Sequence, residues 1–137
     1  MKRIKLWALL SLLLAGCYPI NKTLQPSSKV LVVDQSGQPV AGATVMLITN
    51  AYIGETTRMQ VSSGPTGEAY FPGISEWRVE TLTIHGAENY FWTWCVEKAG
   101  YGTYLTENAD RDEFKDDIVV TLEPGLSTEC PPQGSWQ

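Results

Sequence analysis

Apolar and polar residues alternate in short runs along most of this chain, and Gly- and Pro-rich clusters punctuate them. Val30 to Val33 is a β-branched run. Ala43 to Thr49 places Val45 and Leu47 on one face and Met46 and Ile48 on the other. Glu55 to Val61 is polar and rich in Thr, the pattern of an exposed or edge strand. Glu68 to Phe71 is a short strand that stops at Pro72-Gly73. Arg78 to His85 alternates with Leu82 and Ile84 inward. Phe91 to Lys98 puts Trp92, Trp94 and Val96 on one face and Phe91, Thr93 and Cys95 on the other. Tyr101 to Thr106 follows, and Ile118, Val120 and Leu122 alternate in a last strand.

Turn chemistry separates these runs. Asp34-Gln35-Ser36-Gly37-Gln38-Pro39 combines a side chain that bonds its own backbone with a glycine that accepts positive φ. Ser63-Gly64-Pro65-Thr66-Gly67 and Pro124-Gly125 mark further turns. Short strands at this spacing, with no helical stretch beyond residue 16, predict an all-β fold, a sandwich or barrel.

One segment breaks the pattern. Lys2, Arg3 and Lys5 precede an apolar run from Leu6 to Leu14, which ends in Ala15-Gly16-Cys17. A basic start, a short apolar stretch and small residues before a cleavage point make a secretory signal. The apolar stretch is about ten residues, half of the roughly 20 that a spanning helix needs. Leu14-Ala15-Gly16-Cys17 resembles the lipobox of bacterial lipoproteins. That resemblance implies cleavage after Gly16 and acyl chains on Cys17, hence a membrane partner reached through the lipid. Each buried methylene adds about 0.8 kcal/mol, so two or three chains make a durable anchor. In a Gram-negative host, Tyr18 stands where an Asp would signal inner-membrane retention, which implies sorting to the outer membrane, facing the periplasm.

Composition sharpens this picture. The chain has 137 residues and a formal charge of −5. Loss of residues 1–16 removes three basic side chains and takes the charge to about −8. An acidic domain repels phosphate backbones, so nucleic acid is not an expected partner. With Cys17 used by the lipid, Cys95 and Cys130 are left in an oxidising compartment, where an even number suggests a bridge. Two buried free thiols are the alternative. The bridge would close a loop of about 35 residues, worth roughly 3–4 kcal/mol in the chain-entropy model. It would also lay the tail over Phe91, with Pro131, Pro132 and Trp136 as cover.

Val33-Asp34-Gln35-Ser36-Gly37-Gln38-Pro39-Val40-Ala41-Gly42-Ala43-Thr44-Val45 resembles the first hairpin of carboxypeptidase regulatory-like domains. Those domains are transthyretin-like sandwiches. Gly64 to Phe71, Ala99-Gly100-Tyr101 and Val119 to Pro124 are similar to their later elements. The resemblance implies a seven-stranded Greek-key β-sandwich over residues 29–124, after a signal peptide (1–16) and a lipidated tether (17–28), with a C-terminal tail (125–137). Such domains are accessory modules that bind or space other proteins. The expectation is therefore a non-catalytic, protein-interaction lipoprotein of the cell envelope. A glycan or small-ligand binder and an inhibitor or immunity lipoprotein are the alternatives.

Candidate chemistry is sparse. His85 is the only histidine, which leaves too few for the hydrolases and iron dioxygenases of related folds. No catalytic residue, cofactor or metal is expected. Asn108, Asp110 and Asp112 alternate as calcium ligands do, but Glu113 replaces the usual Gly and Val119 falls where a bidentate Glu belongs. A solvated acidic loop, 107–117, helped by Arg111 and Lys115, is the favoured reading. Tyr90, Phe91, Trp92 and Trp94 could present a flat aromatic face to a sugar or protein, but the alternation assigns Trp92 and Trp94 to the core.

Overall fold

The structure, a computed structural model, describes residues 17–51, 56–81 and 89–131. Nine strands lie within them: β1 (Cys17–Gln25), β2 (Ser28–Asp34), β3 (Thr44–Ala51), β4 (Thr57–Ser62), β5 (Glu68–Phe71), β6 (Ile74–Thr81), β7 (Tyr90–Glu97), β8 (Tyr104–Leu105) and β9 (Asp117–Leu122). No helix occurs among the described residues.

Two sheets pack in a sandwich-like arrangement. One has the order β5-β2-β9 and the other β4-β3-β7-β8. β2 runs antiparallel to β5 and parallel to β9, while β3 is antiparallel to both β4 and β7. The alternation read from the sequence explains the core. Val30, Val32, Ala69, Phe71, Val120 and Leu122 of the first sheet meet Val45, Leu47, Trp92, Trp94 and Val96 of the second. Phe71 meets Trp94 edge-on at 5.1 Å, and Phe114 stacks on Trp94 at 5.5 Å. Phe114 comes from the acidic loop and closes one end of the core with its ring.

Turn residues hold the register. Asp34 Oδ1 accepts hydrogen bonds from the Ser36 and Gln38 amides at 2.8 and 2.9 Å and from Ser36 Oγ at 2.7 Å. Gly37 supplies the positive φ that this turn requires. At Gly67 the constraint is closer still: φ is +78°, and a Cβ would stand 2.4 Å from the Val32 carbonyl oxygen. Ser63, buried between the sheets' ends, accepts from the Ala43 amide and donates to the Val40 carbonyl.

The strands differ from expectation in three places. The sandwich sheets account for seven of the nine strands, and β1 and β6 form a separate two-stranded ribbon. Residues 17–25, expected as an irregular tether, are therefore a strand. Pro19 is compatible with it because β1 has a partner on one side only. β6 begins at Ile74, four residues before the expected start, and Leu82, Ile84 and His85 lie outside the described residues. The strand expected from Tyr101 to Thr106 shortens to β8, because the open edge of β7 is shared with a bridge between Trp92 and Ala109.

Candidate functional site

Cys17 opens β1. Its thiol is free and exposed, and its Cα lies opposite Thr81 of β6. A two-stranded ribbon in water is at best marginally stable alone, so its links to the sandwich matter. The register shifts between Thr23 and Gln25. There the Leu24 carbonyl accepts a hydrogen bond from Trp92 Nε1 at 3.0 Å. Gln25 is buried; its Nε2 donates to the Pro72 carbonyl at 2.7 Å and sits 3.1 Å from Met59 Sδ. Further along, the cations of Lys22 and Arg78 lie 5.7 and 5.9 Å from the centre of the Tyr90 ring, a favourable cation–π geometry.

Two open clefts follow this junction. One, of about 400 Å³, is lined by Thr23, Gln25, Gly73, Arg111 and Asp116. The other, of about 290 Å³, is lined by Ile20, Lys22, Tyr90 and Trp92. Arg111 spans Asp116 with two hydrogen bonds of 2.7 and 2.9 Å. That contact holds the Asp116 carboxyl below its ordinary value and raises the Arg111 guanidinium.

Cys95 and Cys130 form a disulfide, with Cα atoms 6.0 Å apart, inside the usual span for a bridge. Both sulfurs pack with Ile48 and Met46 in a second small cluster, on the side of β3 and β7 away from the main core. The tail is held there by more than the bridge. The Cys130 amide donates to Glu97 Oε2 at 3.0 Å, and the Thr128 amide donates to Thr103 Oγ1 at 2.8 Å. Phe91 is half-buried on this side. Pro132 and Trp136 lie outside the described residues, so their expected cover of Phe91 does too.

The acidic loop does not converge on a point. Asn108 Oδ1 faces inward and accepts from Asn50 Nδ2 and Thr93 Oγ1, each at 2.7 Å. Asp110 Oδ1 accepts from the Asp112 and Glu113 amides instead. Among the described residues no group of three or more His, Cys, Asp or Glu side chains is placed to hold a metal ion. Trp92 and Trp94 are 3 and 2% exposed, so neither ring offers a flat binding face. Across the molecule, Lys29 and Glu68 pair at 2.6 Å beside Tyr70. Hydrogen bonding between them raises the Lys29 ammonium and lowers the Glu68 carboxyl.

The sequence reading passed over Trp77 and Val79, each 72% exposed on β6. The signal was present: Glu76, Trp77, Arg78, Val79 and Glu80 alternate strictly. Phe114 was missed because it sits in a run of charges that reads as solvated. Compared with models of protein families, with curated proteins and with solved structures, the chain matches none.

Proposed function

We propose that this chain is a bacterial lipoprotein, acylated on Cys17 after removal of residues 1–16. It works as a non-catalytic protein-interaction module at the periplasmic side of the outer membrane. The observation that carries this reading is the Leu14-Ala15-Gly16-Cys17 lipobox after a basic and then apolar start. An exposed Cys17 at the free end of β1 fits it. The domain itself is of the carboxypeptidase regulatory-like, transthyretin-like Greek-key type; the Asp34–Gly37 turn, with its bonded carboxylate, supports that assignment.

Partner capture would use the open sheet edges. β4 and β9 each end a sheet, and β9 exposes Val119 on its outer face. Such an edge can pair with an extended segment of another protein. The glycan alternative loses the face it was read from, since Trp92 and Trp94 are inside, and would have to use Trp77 instead.

In-cell crosslinking of the full-length protein, with mass spectrometry of what it captures and a Cys17→Ser control, tests the proposal. One dominant envelope protein, lost in the control, is expected. Capture of a hydrolase or toxin would move the reading to an inhibitor. Absence of any specific protein would sink the interaction module.

A further inference from the structure

The ribbon has two unlike faces. Strand residues directly opposite one another share a face, so the register sorts them. Cys17, Pro19, Asn21 and Thr23 of β1 lie on one face with Ser75, Trp77 and Val79 of β6. Tyr18, Ile20 and Lys22 lie on the other with Glu76 and Arg78. The second face carries the charges, and its Lys22 and Arg78 reach Tyr90, so it is the face turned toward the sandwich. The first face has no ionisable side chain apart from the Cys17 thiol, and it is open: Pro19, Asn21, Thr23 and Ser75 are exposed and Trp77 and Val79 are each 72% exposed.

We propose that this outward face, through Pro19, Trp77 and Val79, is a second membrane contact that seats the ribbon in the lipid headgroups beside Cys17. The inference rests on the acylation of Cys17 proposed above. Its own support is that the apolar side chains share the face of the residue that enters the bilayer. At roughly 3.3 Å per residue, Pro19 and its partner Val79 are about 7 Å along the strand from Cys17, and Trp77 about 13 Å. The headgroup layer is about 5–8 Å thick, so a ribbon standing upright would wet only Pro19 and Val79. A ribbon lying along the surface brings Trp77 to the interface as well, where an indole is favoured. Charge agrees. The mature chain carries about −8 and would be repelled by anionic lipid, but this face presents no carboxylate to the surface. Once the acyl chains hold Cys17 in place, even a weak contact next to it is made at high effective concentration. The result is a fixed orientation, with the open sheet edges presented away from random tumbling.

The test uses the lipidated protein purified from membranes and reconstituted in vesicles of phosphatidylethanolamine and phosphatidylglycerol. Trp77→Cys, Val79→Cys and, as a control on the sandwich, Val119→Cys each add one free thiol for an environment-sensitive fluorophore. All three sites are exposed, and an unchanged melting temperature confirms folding. Blue-shifted emission, quenched by brominated acyl chains at 77 and 79 but not at 119, is the expected result. Intact mass separates the two ideas. An acylated chain whose labels at 77 and 79 behave like the one at 119 overturns the contact and leaves the anchor standing. A mature chain without acyl groups overturns both. Shifts seen in whole envelopes but absent from protein-free vesicles would assign the face to a protein partner and overturn the lipid contact.

Discussion

The sandwich and the β1–β6 ribbon are both built from alternating strands, yet only the sandwich hides one face of each. In the sandwich, Val30, Val32, Phe71, Trp94 and Leu122 leave water together and support one another. The ribbon has no inner layer. It exposes Trp77 and Val79 and depends on a few contacts at one end, through Trp92, Gln25 and Tyr90. Alternation therefore means different things in the two places. Where a second sheet lies opposite, it builds a core; where none does, it sorts an uncharged face from a charged one and leaves Trp77 and Val79 of the uncharged face available.

The largest effect should come from the stitch that belongs to the sandwich alone. Replacing Cys95 and Cys130 together with Ser removes a cross-link spanning 35 residues. The chain-entropy account gives a loss of about 3–4 kcal/mol, read as a lower urea midpoint. Deleting residues 126–137 should cost more, because the Glu97 and Thr103 contacts go with the bridge. A deletion variant as stable as the intact chain would show that the tail is not part of the folded unit.

Trp92 and Trp94 separate the two regions more finely. Both are buried in β7, but Trp92 Nε1 bonds the ribbon at Leu24 while Trp94 Nε1 is buried with no hydrogen-bond partner. Trp92→Phe removes a bond worth about 1 kcal/mol and should speed amide exchange in β1 and β6 about fivefold relative to the sandwich. Trp94→Phe loses volume but also removes an unsatisfied donor, so it should leave ribbon exchange alone. Equal exchange in the ribbons of both variants would break the idea that the Trp92 bond joins the two parts.

How much of this was legible follows from the same contrast. The strands β2, β3, β5, β7 and β9 could be read because an interior selects every second residue. The Asp34 turn was legible because a short side chain and a glycine do local work that needs no partner far away. β1 was not, because Pro19, Asn21 and Lys22 resemble a polar linker and only the pairing with β6 makes them a strand. The parallel pairing of β2 with β9 was equally hidden, since nothing in either sequence names its neighbour. Near the candidate site, the Cys95–Cys130 bridge was legible from the cysteine count. The uncharged face beside Cys17 was not, since it belongs to two segments more than 50 residues apart.

Acid should act on the sandwich first, with the smallest effect of the three. Asp34 is held below its ordinary value of 3.8 chiefly by the Ser36 hydroxyl, Asp116 by Arg111, and Glu68, ordinarily 4.5, by Lys29. A carboxyl whose folded pKa is depressed stabilises the fold above its unfolded pKa. That contribution is lost as pH falls through the folded value. Stability should therefore be level near neutrality and decline once pH drops below about 4. Lys29 and Arg111 shift upward, so their contribution is complete throughout this range and is lost only in strong alkali. All three carboxyls are open to solvent, so each effect is modest. Asp34→Asn should lower the urea midpoint at neutral pH and make its fall on acidification shallower than in the native chain. The same fall in both proteins would mean that the Asp34 turn bears no part of the acid sensitivity.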